Sequence, residues 1–233
     1  MPIWVFQKRI IGNPTPEKAA FVSSFADCDE LFVINQRFLR ILDRREGTPM
    51  HINLNEEQVD KALFDALYAL MQRRTIEELT VGDILEQAHV SRSSFYRHYR
   101  DKYELLTTSY KHILESTYLR CLHGNPWKES ATSLYTVLAE HPAFFKHALA
   151  STGPNSLRQY ICDISMECYE EIFRQHGQDL RGDWRLFTAV KSHIYGTCEI
   201  TCEWAQEGMR HSPQEMIDLF YYVTPDCLKP YCS

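Results

Sequence analysis

A chain of 233 residues is long enough for one or two domains with a sizeable core, and its 44% hydrophobic and 24% charged residues are those of an ordinary globular protein. No apolar run reaches the roughly eighteen residues that span a bilayer, and the N-terminus lacks the basic start, apolar run and small-residue cleavage site of a secretory signal, so a membrane protein is excluded and a cytoplasmic location is expected. A net charge of −6 argues against indiscriminate coating of nucleic acid but leaves room for one focused basic site.

In chain order, residues 1–49 combine a Pro-rich loop at Asn13-Pro14-Thr15-Pro16 with an apolar helical pattern through Leu31, Phe32, Phe38, Leu39, Ile41 and Leu42. They are either sequence upstream of the native start at Met50 or an arm appended to the helices beyond it. The first clear helix opens at Asn55, with Gln58 placed to reach back and Leu54 facing Val59, and carries Val59, Ala62, Leu63, Ala66, Leu67 and Leu70 on one stripe. It is expected to end near Arg73 or Arg74.

Three more start signals come at short intervals. Thr80 caps a helix to about Ala88 with Asp83 three residues on; Ser91 caps the next with Ser94 three on; Asp101 caps a fourth with Glu104 three on. Only His89 and Val90 separate the second helix from the cap of the third, the proportion of a helix-turn-helix. Arg92, Arg97, Arg100 and Lys102 against Asp101 alone give this stretch a local balance of +3 in an acidic chain. Hydroxyls, guanidinium groups, aromatic rings and an imidazole on one short helix suit a DNA major groove, with double-stranded DNA as the partner. Arg92, Ser93 and Arg97 are the candidates for base edges. Phe95 and Tyr99, at i and i+4, are read as core, and Tyr96 as either core or contact.

These residues carry a resemblance. Thr80-Val81-Gly82-Asp83-Ile84, Ala88-His89-Val90-Ser91, Phe95-Tyr96-Arg97-His98-Tyr99 and Asp101-Lys102-Tyr103-Glu104-Leu105-Leu106 resemble the DNA-binding domain of the TetR family of bacterial transcriptional regulators, over Asn55 to Leu106. The resemblance implies DNA contacts from Thr80, Ser91, Arg92, Ser93, Ser94, Tyr96, Arg97, His98 and Lys102, with Tyr96, His98, Lys102 and Thr80 on phosphates. Two positions depart from the family pattern: His89 and Ser93 stand where Gly is common. Gly at the turn reaches positive φ freely; His is among the residues that tolerate it, so a slightly strained turn is expected.

Beyond the reader, a connecting helix runs from Asp101 to about Leu122, stopped by His123-Gly124-Asn125-Pro126. Ser130 to Glu140 forms the next, broken at His141-Pro142, with Ala143 to Ala150 on a new axis. Leu157, Tyr160, Ile161, Ile164, Cys168 and Ile172 mark a long helix ending at Gly177. Asp183 caps another, with Leu186, Phe187, Val190 and Ile194 as its stripe and Gly208 as its stop. Ser212-Pro213-Gln214-Glu215 opens the last, carrying Met216, Leu219, Phe220 and Val223 to Thr224-Pro225. With no alternating strand pattern anywhere, the fold class is all-α: a helix-turn-helix domain at 50–104, a helical effector-binding and dimerisation domain at 105–224 and a loose tail at 225–233.

The last two helices carry Tyr195, Ile200, Trp204, Tyr221 and Tyr222 off their stripes. In TetR-like proteins this pair forms the homodimer's four-helix interface, which implies an inverted-repeat operator. Gly196 through Trp204 and Gly208 to Ser212-Pro213 is also similar to the dihydroxyacetone-kinase-regulator branch. Trp127, Tyr135, Phe144, Phe145, Tyr160, Tyr169 and Trp204 are the aromatic candidates for an effector pocket, with Arg158, Glu167 or His147 to orient its occupant.

Eight cysteines, Cys28, Cys121, Cys162, Cys168, Cys198, Cys202, Cys227 and Cys232, show no C-x-x-C pair and no zinc spacing. They read as reduced and mostly buried thiols, with a thiol-based sensor as the other reading; neither a metal nor another cofactor is expected. No H-E-x-x-H, G-x-x-x-x-G-K-[ST] or G-x-S-x-G motif is present. The expected function is a homodimeric repressor released by an effector. The alternatives are a regulator of the same fold governed by a protein co-regulator and a helical enzyme.

Overall fold

A computed structural model describes residues 56–231; residues 1–49, the cap expected at Asn55 and Cys232 lie outside the described residues. Among the described residues all secondary structure is helical. The reader comprises α1 (Glu56–Met71), α2 (Val81–Ala88) and α3 (Arg92–His98), and α4 (Lys102–Ser116) leads out of it. The C-terminal half is built from α5 (Trp127–Glu140), α6 (Pro142–Ala148), α7 (Leu157–Gln175), α8 (Trp184–Gln206) and α9 (Pro213–Val223).

The boundaries arise from local side-chain chemistry. At α2 the Thr80 hydroxyl accepts the Asp83 N–H at 3.1 Å while the Asp83 carboxylate accepts the Thr80 N–H at 2.7 Å. Ser91 accepts the Ser94 N–H at α3, Asp101 accepts the Tyr103 and Glu104 N–H groups at α4, and Asp183 those of Arg185 and Leu186 at α8. Ser212 and Glu215 close a second capping box, with Pro213 at the first position of α9.

The core of the reader is a single apolar cluster. Val59, Leu63, Ala66, Leu67 and Met71 of α1 are buried with Ile84, Phe95, Leu105 and Leu106 of the next three helices. Burying a side chain of this size contributes about 1.5–3 kcal/mol, so α1 is the platform on which the two short helices rest. It also meets α6: Tyr68 stacks on Phe144, its hydroxyl lies 3.0 Å from His141 Nδ1, and His147 Nδ1 lies 2.8 Å from the Met71 carbonyl. Helix α4 belongs to both halves, with Leu105 and Leu106 in the reader's core and Tyr110 and Leu114 among the C-terminal helices; the expected division at 104/105 falls within it.

Four expectations are corrected. The connecting helix does not run as one to Leu122: it stops at Ser116, where Thr117 turns its hydroxyl back onto the Ile113 carbonyl at 2.6 Å, and continues as a 3-10 turn over Tyr118–His123. Helix α5 begins at Trp127 rather than Ser130, directly after Pro126. Helix α9 buries Met216, Ile217 and Phe220 and leaves Leu219 and Val223 exposed, because α5 sets which side faces inward. The tail is not loose as far as Tyr231: Leu228 is fully buried and the Tyr231 ring lies 4.3 Å from that of Phe173.

Candidate nucleic-acid interface

Helix α3 is held by one side and presents the other. Phe95 is fully buried and Tyr99 nearly so; their rings lie 5.9 Å apart, with Phe64 of α1 at 6.1 Å from Tyr99. Both are core, as expected. On the opposite side Ser91, Arg92, Ser93, Tyr96, Arg97 and Arg100 are all exposed. Tyr96 is 51% exposed, its ring meeting Phe95 edge-on at 5.2 Å, which answers the question of whether it is core. Ser94 is half-buried, with its N–H and hydroxyl both engaged by Ser91.

The turn before α3 adopts the conformation that its Gly-less sequence predicts. His89 has φ 54° and ψ 35°, in the left-handed region. Its N–H and that of Val90 reach back to the Glu86 and Leu85 carbonyls at 3.4 and 3.2 Å, closing α2 with a Schellman arrangement.

Two of the predicted contact residues are engaged inside the protein. The Lys102 ammonium donates to the Leu79 carbonyl at 2.6 Å and the Glu77 carbonyl at 3.2 Å, which fixes the loop entering α2 and leaves one of its three protons uncommitted. His98 Nδ1 lies 2.9 Å from the Asp60 carboxylate; its Nε2 is buried with no hydrogen-bond partner. Tyr99 donates to the same Asp60 oxygen at 2.8 Å, and burial with that neighbouring charge pushes its hydroxyl well above the usual phenol range. Asp60 is thus the α1 anchor of α3, a role the sequence did not reveal because it lies 38 and 39 residues from its partners. Thr80 is exposed, but its hydroxyl is committed to Asp83.

Against known proteins, the family model for bacterial regulatory proteins of the tetR family matches residues 63–107, and a second model, a transcriptional regulator C-terminal region, matches residues 125–226. The chain belongs to the TetR family of transcriptional regulators. An uncharacterized HTH-type transcriptional regulator of Bacillus subtilis (strain 168), YxbF, is 28% identical over 98 residues, which span 38% of this chain and 26% of that protein. The solved structure of the dihydroxyacetone kinase operon activator DhaS is 19% identical, covering 71% of this chain and 93% of its own, with a TM-score of 0.49.

In this TetR-family chain the C-terminal half forms a partly open cavity of about 100 Å³ between α4, α5, α7, α8 and α9. Of the seven aromatic candidates, Trp127, Tyr135 and Tyr169 line it. The other four do not. Phe144 stacks on Tyr68 of α1, Phe145 lies 6.3 Å from the Tyr110 ring of α4, Tyr160 stands edge-on behind Tyr110 at 6.4 Å, and Trp204 is buried against Tyr135 with its indole N–H donated to the His211 carbonyl at 2.9 Å. That last bond also removes Trp204 from the outward face expected for it. None of the expected orienting groups reaches the cavity: His147 faces Met71, Arg158 pairs with Glu199, and Glu167 is exposed.

The lining that sequence reasoning missed is Tyr118, Ser165, His193, Thr197 and Thr201, whose polar atoms are brought together from three segments far apart in the chain. Tyr135 and Thr201 share a hydrogen bond of 2.5 Å, and burial pushes the Tyr135 and Tyr118 hydroxyls up. Burial also lowers the affinity of His193 for a proton, so its ring is neutral at pH 7. No lysine, arginine, aspartate or glutamate lines the cavity. No group of three or more His, Cys, Asp or Glu among the described residues is placed to hold a metal ion, and no helix among them is long and apolar enough to cross a membrane.

Proposed function

We propose that this TetR-family regulator is a homodimeric, sequence-specific repressor that binds an inverted-repeat operator and is released by a small uncharged effector. The observation that carries the reading is the two-sided build of α3, buried through Phe95 and Tyr99 and presenting Arg92, Ser93, Tyr96, Arg97 and Arg100 together. Arg92 and Arg97 are the base readers, because a guanidinium can bond O6 and N7 of guanine together. Ser93 stays beside them as a base-edge candidate, Tyr96 and the spare proton of Lys102 serve phosphates, and Arg100 adds charge at the far end, while the Ser91 hydroxyl is occupied in capping α3. His98 and Ser94 act one step back, holding α3 to Asp60 and closing its first turn.

The dimer reading is supported by the outward face of α8 and α9. Trp184 is 71% and Tyr222 81% exposed, with Tyr195, Leu219, Tyr221 and Val223 also exposed, an apolar surface that a lone chain in water does not favour. Gly196 lies within α8 with open space where a Cβ would stand. A mid-helix Gly weakens an exposed helix by about 1 kcal/mol relative to Ala, and close approach of a second helix is a physical reason for retaining one.

The effector reading rests on the cavity lining. Charged ligands have no counter-charge there, so an aromatic or aliphatic molecule with a hydroxyl or carbonyl is favoured. About 100 Å³ is less than the roughly 150 Å³ that holds benzene, so a ring-sized occupant is taken wholly inside this partly open cavity only when the walls move apart. Because α4 forms one wall and also packs in the reader's core, that movement shifts the reader, and an effector acts only through such a difference between states. The reader at 50–104 and sensor at 105–224 are retained as the functional division.

The experiment is a pair of alanine variants titrated against a bound site and its single-base variants over a salt series. Arg92→Ala should lose about 1–3 kcal/mol and relax preference at one base position in each half-site, while Arg100→Ala should weaken every sequence alike and flatten the salt slope by about one. Uniform loss in both variants would remove Arg92 from base reading.

A further inference from the structure

Around the cavity the hydroxyl protons divide into those already spent within the protein and those left over. The Thr201 hydroxyl gives its single proton to the Thr197 carbonyl at 2.8 Å, so in its 2.5 Å contact with Tyr135 the phenol is the donor. Thr197 spends its own proton on the His193 carbonyl at 2.8 Å, with the Ile194 carbonyl at 3.2 Å. Tyr118 accepts the Trp127 indole N–H at 3.3 Å, which leaves the Tyr118 proton unspent.

Tyr110 of α4 is the most exacting case. It lines the cavity, is only 4% exposed, and its hydroxyl has no hydrogen-bond partner among the described residues. That oxygen is nevertheless not sealed in packing: among the described residues the side-chain atoms both sealed and unpaired are His98 Nε2 and Ser130 Oγ. A buried side chain whose unpaired hydroxyl still meets open space meets it in the cavity that it lines. Ser165 of α7 and the His193 ring of α8 also line the cavity and have no hydrogen bond among the described residues. Burial holds the Tyr110 and Tyr118 hydroxyls well above the usual phenol range, so both keep their protons throughout the physiological range. The donors left over are therefore the hydroxyls of Tyr110, Tyr118 and Ser165 and the N–H of neutral His193.

We propose that Tyr110 and Tyr118 set the specificity of the effector site, and that its occupant is a neutral carbonyl compound whose oxygen accepts the phenol protons. This rests on the effector reading of the cavity and narrows it. A carboxylate also accepts protons, but no lysine or arginine lines the cavity to balance its charge. A hydrocarbon fills the same space and leaves buried donors unpaired, which forfeits roughly tenfold in affinity for a hydrogen bond of ordinary strength. An alcohol accepts a phenol proton but brings a proton of its own that must be placed. A carbonyl oxygen offers two lone pairs and brings no proton, which matches a lining with donors to spare.

The experiment titrates the full chain with three probes of one shape, cyclopentanone, cyclopentanol and methylenecyclopentane, and reads binding by ligand-observed NMR. Cyclopentanone should bind about tenfold more tightly than methylenecyclopentane, and more tightly than cyclopentanol. The double variant Tyr110→Phe, Tyr118→Phe should bind the ketone and the hydrocarbon alike, with the hydrocarbon's affinity unchanged, which a merely structural role for the two hydroxyls would not produce. Should the double variant fail to fold, the carbonyl carbon of ¹³C-labelled cyclopentanone bound to the unaltered chain decides. Accepting phenol protons keeps its resonance at or downfield of the aqueous position, whereas an unpaired carbonyl moves upfield toward its position in alkane and overturns the proposal. Equal binding of ketone and hydrocarbon, a preference for the alcohol, or a double variant that keeps the ketone preference also overturns it while leaving the cavity as an effector site. Binding of none of the three removes the effector reading itself, and the proposal with it.

Discussion

His89 shows how far a single residue can be read from sequence. A one-turn link between two capped helices needs a residue in the left-handed region, and His stands there with φ 54°. A non-Gly residue in that region costs roughly 1–2 kcal/mol, partly offset by the larger chain entropy that Gly loses, so His89→Gly should raise unfolding free energy by about 0.5–1 kcal/mol in a denaturant titration. No gain would mean that the His side chain makes up the difference by contacts of its own. Lys102 and His98 mark where residue-level reading stops. Their chemistry suits phosphate, but sequence does not disclose that the Glu77 and Leu79 carbonyls and the Asp60 carboxylate are already within reach.

At the scale of elements, caps were legible because each is a contact between residues two or three apart. Thr80→Ala should cost about 1 kcal/mol of stability through loss of the α2 cap, read in the same titration. The two capping-box carboxylates, Asp83 and Glu215, are held below their ordinary range chiefly by the backbone N–H groups of Thr80 and Ser212. Depressed carboxylate values contribute stability that is present above the unfolded value near pH 4 and lost as pH falls through the folded one, so helicity at α2 and α9 should fray on acidification below about pH 4. Protection of the Asp83 and Glu215 amides, relative to the unstructured rate at the same pH, that does not fall there would contradict this. Which face of α9 turns inward was not legible. Met216, Leu219, Phe220 and Val223 fit a helical period as well as Met216, Ile217 and Phe220 do, and only packing on α5 decides between them.

For the whole molecule, the all-α architecture and the reader were legible from periodicity and caps, whereas the cavity was not, since its polar lining comes from residues as distant as Tyr118 and Thr201. The dimer reading makes a direct prediction. A Cβ added at Gly196 meets nothing within 4 Å in the single chain, so Gly196→Leu should leave the fold intact while lowering the sedimenting mass to that of one chain. An unchanged oligomer mass would take α8 out of the interface. Stability should also depend on pH through His141 and His193, whose proton affinities are lowered by burial. The unfolded chain binds more protons than the folded one below about pH 6.5, so the melting temperature should fall as pH drops from 7 toward 5.

The central claim is that α3 reads DNA by sequence as one half of a symmetric pair. Selection of bound duplexes from a random pool, with the purified full chain at about 0.15 M salt, where non-specific binding is already weakened, tests it most directly. An enriched inverted repeat is expected, its half-sites about one helical turn apart or somewhat more, each containing a guanine that Arg92→Ala ceases to require. A folded, dimeric protein that enriches no sequence would contradict it.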